Sequence, residues 1–487
     1  MSSDIMSLDM WVHGEWRAGS TGELVEVVNP AKGELLATVP DGGQEDLDAA
    51  IESAHQGLAE WRETHPRTRS QILYKMAAAL QERAQEFAEI YSLNSGGSVG
   101  TGLWTMYDVA GRRLEYYAGL ADKIRGDTFV APGDSLSYTL REPVGVTGHI
   151  IPWNGPLWIG SRTIAPALAA GNAVVVKPSS EAPLNLLKFG ELASECGLPP
   201  GVLNVVSGRG SGLGDLFTKH PGLDAIYFTG STGTGRQILQ NAATTNVRTV
   251  MELGGKSPNV VFEDADLEKA LDGTILAIFA NSGQICVAGS RLLVQASIHD
   301  EFVERLAAKA AEITIGGPEA NALMGPVITA AQKERVLAYI EQGKQEATLV
   351  TGGGTPEDPA LQQGFFVAPT IFDGVPNSAT IAREEIFGPV LSVTSFEDFD
   401  EGIALANDTE YGLASAVWTE NVKTAHLAAQ AIQAGQVYIN HYYSLGYELS
   451  RSPYKASGHG VSEGPDAIYE YLNQKTVSIK LGEDAGW

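Results

Sequence analysis

Three residues of this chain stand where they could do chemistry. Cys286 lies in Asn281-Ser-Gly-Gln-Ile-Cys-Val-Ala-Gly-Ser-Arg291, a Gly-containing loop that follows a helix-like stretch. A thiol in such a loop is either inert packing or, once deprotonated, a strong nucleophile. Glu252 stands at the end of an apolar strand in Met251-Glu-Leu-Gly-Gly-Lys-Ser-Pro258, with two glycines clearing space beside it. A carboxylate there suits a general base, and a plain surface glutamate is the other reading. Asn154 is the centre of Pro152-Trp-Asn-Gly-Pro156, a loop too proline-restricted to be a helix. Its amide could donate to an oxyanion or simply form a turn.

The elements that must position these loops show in the hydrophobic periodicity. Leu47, Ile51, Ala54, Leu58 and Trp61 predict one amphipathic helix, and Leu73, Met76, Leu80, Ala84, Phe87 and Tyr91 predict a second. From Val144 onward the pattern changes. Short β-branched runs at 144–150, 173–176, 203–206, 225–228, 247–251 and 259–262 alternate with helical stretches, which argues an α/β fold with a parallel, doubly wound sheet. A helical stretch at 267–280 and strands at 291–294, 390–396 and 437–440 predict a second α/β domain. Residues 124–141, with Gly126, Pro132 and Gly133, fall outside this rhythm and predict a β-hairpin. Gly352-Gly-Gly354 predicts an exposed turn.

Composition excludes several function classes. The chain has 487 residues, 44% hydrophobic and 19% charged, which is enough for a large folded core. With 59 acidic against 33 basic residues its formal charge is −26, the wrong sign for nucleic acid or an anionic membrane. Two cysteines, Cys196 and Cys286, cannot form a disulfide framework, and no Cys/His cluster has metal-ligand spacing. No signal peptide or long apolar run is expected, so the chain is read as cytoplasmic.

With these loops in order along the chain, the sequence strongly resembles the aldehyde dehydrogenase superfamily. The most specific marks are Pro152-Trp-Asn, Gly171-Asn-Ala-Val-Val-Val-Lys-Pro, Gly197-Leu-Pro-Pro-Gly-Val-Leu-Asn-Val-Val, Phe228-Thr-Gly-Ser-Thr-Gly-Thr-Gly, Glu252-Leu-Gly-Gly-Lys-Ser-Pro, Gly283-Gln-Ile-Cys and Glu384-Glu-Ile-Phe-Gly-Pro-Val. The resemblance runs from about Trp11 to Ile479. It implies that Cys286 attacks an aldehyde to give a thiohemiacetal, that Asn154 holds the oxyanion, and that Glu252 activates the water that hydrolyses the resulting thioester. Branches that pass the acyl group to coenzyme A characteristically lack this glutamate, so Glu252 favours hydrolysis.

For the cofactor, Gly230-Ser-Thr-Gly-Thr-Gly235 resembles the family turn in which backbone N–H groups and a helix N-terminus receive the pyrophosphate. Gly230, Ser231 and Gly235 are the residues concerned, and Pro152 and Trp153 border the same site. Lys177 resembles the lysine that contacts the adenosine ribose, Glu385 the residue that holds the nicotinamide ribose, and Phe387 the ring beside the nicotinamide. The glycine-richer run Gly208–Gly214 resembles only a loop after the preceding strand. Ser180 stands where the family often has a glutamate that repels a 2′-phosphate, which lowers the barrier to NADP. NAD is the expected cofactor, with NADP tolerated, and Glu181 partly restores the repulsion.

The expected substrate pocket holds Gly155, Trp158, Arg162, Ile285, Val287 and Arg451, the last in place of the family's aromatic wall residue. A small residue after the asparagine with an arginine eight residues on resembles the branch acting on aromatic aldehydes, although such an arginine also occurs in succinate semialdehyde dehydrogenases. Trp104, Trp158, Tyr442 and Tyr443 tilt the expectation toward an aromatic or bulky aldehyde. A non-catalytic binding or structural protein on the same fold is the alternative of another class. The expected organisation is a cofactor-binding domain at 1–123 and 145–254, a catalytic domain at 255–465, and an oligomerisation element at 124–144 and 466–487. The resemblance implies a homodimer or homotetramer.

Overall fold

Two β-sheets carry the loops that matter, and the chain passes from one to the other immediately after Glu252. The structure, a computed structural model, describes residues 6–130, 135–443 and 446–482. Pro132 and Gly133 of the expected hairpin, and the outermost residues of the expected 1–123 and 466–487 segments, lie outside the described residues.

The first sheet has a parallel centre of five strands, flanked by short antiparallel ones. Its order is Gly458–His459, Arg248–Glu252, Ala225–Thr229, Val146–Ile151, Ala173–Pro178, Leu203–Val205, Met10–Val12 and Glu15–Arg17. The middle strands are buried along their whole length, as Val174, Val175 and Val176 show with no exposure. That is why they read as continuous apolar runs and not as alternating ones. Strand order reverses between Val146–Ile151 and Ala225–Thr229, which makes a crevice at the carboxyl ends of these two neighbours.

The second sheet runs Thr348–Thr351, Thr370–Asp373, Val390–Phe396, Arg291–Gln295, Pro258–Val261, Ala414–Trp418 and Gln436–Ile439, antiparallel only at its first pair. Gly352 and Gly353 turn left-handed after its first strand, the exposed turn expected there. One strand crosses the expected domain boundary. Gly458–His459, inside 255–465, pairs with Arg248–Glu252 and so belongs to the first sheet.

A third sheet joins Thr128–Val130, Ser135–Pro143 and Leu472–Lys480, the last two paired from Leu472↔Pro143 to Lys480↔Ser135. The N-terminal region also forms a small sheet of Met6–Ser7, Glu34–Pro40 and Leu24–Asn29 that the periodicity did not announce.

Two local expectations are corrected. The helix expected over 73–91 is two helices, Pro66–Glu82 and Ala84–Ser95, broken at Arg83. Arg83 leaves the helical region at φ −96°, ψ 17°, and its guanidinium binds Glu86 and Glu195. The apolar phase survives the break, since Leu73, Met76, Leu80, Phe87 and Tyr91 all remain buried, so periodicity could not reveal it. The run Gly208–Gly214 is not only a loop: residues 210–214 wind into a helical turn that continues as Asp215–Lys219. Among the described residues, no helix is long and apolar enough to cross a membrane.

Candidate active site

The carboxyl-terminal edge of the first sheet faces the amino-terminal edge of the second across a cleft of about 200 Å³. From the first sheet come Pro152, Trp153 and Asn154 after Val146–Ile151, Gly230 and Ser231 after Ala225–Thr229, and Leu253 and Gly254 after Arg248–Glu252. From the second come Cys286, ahead of Arg291–Gln295, and Glu385 and Phe387, ahead of Val390–Phe396. Each sheet thus contributes the loops at one end of its strands, and the reacting groups meet between them.

The Cys286 loop owes its shape to a strained turn. Asn281 (φ 49°) and Ser282 (φ 55°) are left-handed, followed by Gly283 at φ 73°. For residues other than glycine this backbone costs about 1–3 kcal/mol each and persists only where neighbours over-determine it. Here Ser282 Oγ donates to Gly325 O at 2.6 Å. Buried Gln284 donates to Asn281 O at 3.0 Å and accepts from Ile328 N–H at 2.9 Å. Two glycines bring the other loops against this one. A side chain on Gly255 would overlap the Cys286 carbonyl oxygen, and one on Gly254 would overlap the Glu385 carboxylate.

Asn154 Nδ2 donates to Gln284 O at 2.9 Å, tying the first-sheet loop to the cysteine loop. An amide nitrogen carries two N–H bonds, so a second remains for the cleft. Burial pushes the Cys286 thiol up to about 11, against the pull of Arg162, while the carboxylates of Glu252 and Glu385 add to the rise. Glu252 ends its strand 7% exposed. Its Oε1 is buried with no hydrogen-bond partner among the described residues, and Arg162 lies 4.0 Å from Oε2.

Of the cofactor-type residues, Pro152, Trp153, Gly230, Ser231, Glu385 and Phe387 line the same cleft, while Lys177, Ser180 and Gly235 stand outside its lining. Ser231 caps the helix Thr232–Ala242, accepting from Thr234 N–H, and leaves that helix's N-terminus toward the crevice. A side chain on Gly230 would strike the Phe228 ring and one on Gly235 would strike Leu253, so these glycines keep the turn close to the sheet. Such a cradle fits a dinucleotide pyrophosphate. Glu385 Oε1 accepts from Gly255 N–H at 3.1 Å, and burial pushes this carboxyl up to about 7. Phe387 sits at φ 58° with its carbonyl held by Gln332 Nε2 at 2.8 Å, and its ring meets Trp153 edge-on at 5.4 Å. Lys177 is 3% exposed, its ammonium lowered to about 8 by burial, and Gly214 lies against its side chain. Ser180 Oγ donates to Glu181 Oε1 at 3.1 Å, and Ser179 binds the other oxygen.

The expected substrate-side residues divide. Gly155 begins the helix Pro156–Ala170, and Trp158 on that helix meets Trp104 edge-on at 5.5 Å, with Trp104 47% exposed. Val287 packs against the buried cluster that holds Ala277, Tyr438 and Tyr442, and its carbonyl accepts from Tyr442 O–H at 2.8 Å. Ile285 lies outside the cleft lining and packs against the core of the second sheet, at the start of a turn through Cys286 and Val287 that Ala288 N–H closes onto Ile285 O at 2.9 Å. Arg451 is not a simple wall residue: its guanidinium pairs with buried Glu463 at 2.8 Å. Leu253 and Gly254, from the motif that carries Glu252, also line the cleft, as do Gln332 and Arg335, which nothing in the sequence singled out. Gln332 and Arg335 sit one turn apart on Ala330–Glu346, and the only signal was a pair of polar residues at helical spacing. Arg113 and Glu463 were passed over as well.

With that geometry, the likeness to known proteins is specific. A model of the aldehyde dehydrogenase family matches residues 16–477. The hydroxyisobutyraldehyde dehydrogenase of Mycolicibacterium austroafricanum is 43% identical, over 97% of this chain and 94% of that protein. Among solved structures, betaine aldehyde dehydrogenase from Staphylococcus aureus in complex with NAD+ superposes with a TM-score of 0.96 at 36% identity, covering 99% of both chains. The P. syringae indole-3-acetaldehyde dehydrogenase in complex with NAD+ and IAA gives 0.96 at 38% identity, covering 98% of both. The chain belongs to the aldehyde dehydrogenase family and is an oxidoreductase acting on aldehydes.

Proposed function

We propose that this enzyme oxidises an aromatic or otherwise bulky aldehyde to its carboxylic acid with NAD, using Cys286 as nucleophile, Asn154 as oxyanion donor and Glu252 as base. The observation that carries the reading is the tie between Asn154 Nδ2 and Gln284 O, which fixes an amide donor beside the cysteine loop at the cleft floor.

Each residue then has a defined task. The Cys286 sulfur adds to the carbonyl carbon, and its oxygen becomes an alkoxide received by the second Asn154 N–H and the Cys286 backbone N–H. The bound nicotinamide supplies the acceptor that makes the step an oxidation. Ser231 and the helix N-terminus, Glu385, Lys177 and the Trp153–Phe387 ring pair would hold that group in the cleft. Glu252 Oε1 takes a proton from the water that attacks the Cys286 thioester, which frees the carboxylic acid and restores the thiol.

For the substrate, the exposed Trp104 edge on Trp158 and the small Gly155 support a flat, bulky group. The second reading, a semialdehyde bearing a carboxylate, would need a guanidinium to receive it. Arg162 and Arg451 already face Glu252 and Glu463, which favours the aromatic reading. For the cofactor, the Glu181 carboxylate gathered by Ser179 and Ser180 supports NAD over NADP. We assign the two large sheets to cofactor binding and catalysis, and the sheet of Thr128–Val130, Ser135–Pro143 and Leu472–Lys480 to a homodimer or homotetramer contact. Its exposed Phe129, Val130, Leu136 and Ile479 support that role. Free Cys196 and Cys286 suit a reducing cytoplasm.

A turnover screen with benzaldehyde, an aliphatic aldehyde and a carboxylate-bearing semialdehyde, followed by absorbance of reduced cofactor, tests the substrate. Preference for the semialdehyde overturns the aromatic reading. Full turnover by Cys286→Ala would remove the nucleophile assignment, and dependence on added coenzyme A would remove the hydrolytic one.

A further inference from the structure

Behind the cleft, charged groups of both signs are gathered away from water. Side-chain exposure is 3% for Arg113, 1% for Glu463, 18% for Arg451, 11% for Arg162 and 8% for Glu252. Charges this far from solvent interact strongly and are seldom left unbalanced. Arg113 and Arg451 share one carboxylate: Arg113 pairs with Glu463 Oε1, and Arg451 with Oε2 at 2.8 Å. Arg113 also donates to Ser161 Oγ at 2.9 Å and to the Trp158 carbonyl, both on the helix Pro156–Ala170 that carries Arg162. Arg162 itself donates to Thr229 Oγ1 at 3.0 Å and lies 4.0 Å from Glu252, a loose contact beside a tightly paired neighbour.

Three guanidiniums against two carboxylates leave one positive charge in excess. Arg162 is the member of the cluster that reaches the cleft, since its partner Thr229 lines the cleft together with Cys286. Glu463 is built for this placement. It stands at φ 60°, a backbone that non-glycine residues rarely adopt, between Ser462, whose N–H donates to Arg451 O at 2.8 Å, and Gly464, whose N–H donates to Tyr447 O at 2.9 Å.

We propose that Arg162 is the electrostatic partner of the Cys286 thiolate, and that Glu463 is a positioning residue which, by holding Arg113 and Arg451 together, sets how much positive charge reaches the sulfur. The proposal rests on Cys286 being the nucleophile. The other groups around the thiol are Glu252 and Glu385, which oppose its ionisation, and the phenols of Tyr438, Tyr442 and Tyr443, which burial keeps protonated. Arg162 is the strongest group working against the burial that raises the thiol. Glu463 stays ionised because Arg113, Arg451 and Arg162 together outweigh its own burial.

The test is the pH dependence of Cys286 alkylation by iodoacetamide, read as the modified Cys286 peptide by mass spectrometry so that Cys196 does not contribute. The sulfur displaces iodide only as thiolate, so the midpoint reports the thiol directly. Arg162→Gln should move the midpoint up by about one pH unit or more, and Arg162→Lys should keep it near the parent value. Glu463→Gln, which leaves two arginines uncompensated, should move it down. Arg451→Gln, at the most exposed position of the cluster, should move it up and carries the Glu463 arm should Glu463→Gln not fold. General loosening would admit water to the thiol and move every variant down. An unchanged or lowered midpoint in Arg162→Gln, or a lowered one in Arg451→Gln, overturns the proposal. Alkylation of Cys286 without loss of turnover in the parent enzyme would instead overturn the nucleophile reading.

Discussion

The carbonyl oxygen of Cys286 packs onto the α-carbon of Gly255, in a space that admits no side chain. The loop bearing the base and the loop bearing the thiol are therefore held in register by backbone contact. Gly255→Ala should displace the Cys286 loop while leaving the fold intact. Since a misplacement near 1 Å can cost about a hundredfold in rate, we expect a loss of that order in turnover with an unchanged circular dichroism spectrum. Turnover within a few-fold of the parent would show that the contact does not position the thiol.

Glu385 makes cofactor binding depend on pH. Its carboxyl is raised to about 7 by burial, and hydroxyls of a ribose are better received by the ionised form. KM for NAD should fall as pH rises through about 7, and Glu385→Gln should flatten the dependence at a higher KM. The stability effect has the opposite sign. A carboxyl raised on folding contributes stability below the ordinary carboxylate range and loses it as pH rises through its folded value. The cofactor-free enzyme should therefore lose thermal stability across that window, and Glu385→Gln should lose less.

Cofactor choice should turn on Glu181. Its carboxylate is bound by Ser179 and Ser180 close to Lys177, where a 2′-phosphate would meet negative charge. Glu181→Ala should improve kcat/KM for NADP about tenfold, equivalent to about 1.4 kcal/mol, with a smaller change for NAD. Steady-state kinetics with both cofactors measure it, and an unchanged ratio would place the discrimination elsewhere.

Assembly should be sensitive to the edge strand Thr128–Val130. Phe129 is 51% exposed and Val130 fully so, on a sheet whose outer apolar residues include Leu136 and Ile479. Val130→Lys should weaken a contact made there and shift the species seen by light scattering toward monomer. An unaltered mass would mean that copies of the chain meet through another face.

The central strands were legible because their burial on both faces leaves continuous apolar runs, as at Ala173–Pro178 and Ala225–Thr229. The helix break at Arg83 was not, because the buried phase of Leu80 and Phe87 runs across it unchanged. Among site residues, Cys286, Glu252 and Asn154 were picked out by the resemblance of their motifs to a known family, since their local surroundings alone left packing, surface and turn readings open. Gln332 and Arg335 could not be picked out, since an ordinary polar pair on a helix has no local mark of the cleft it faces.

By itself the sequence determined the two sheets, the loops that end their strands and the residue types in those loops, because backbone period and turn chemistry act over a few residues. Only the tertiary structure decided that the carboxyl edge of one sheet would meet the amino edge of the other, that Ile285 would face the core and Cys286 the cleft, and that Arg113, Arg162 and Arg451 would share Glu463 and Glu252. Those relations join residues as far apart as Arg113 and Glu463, and what selects them is the packing and charge balance of groups removed from water, which no local pattern encodes.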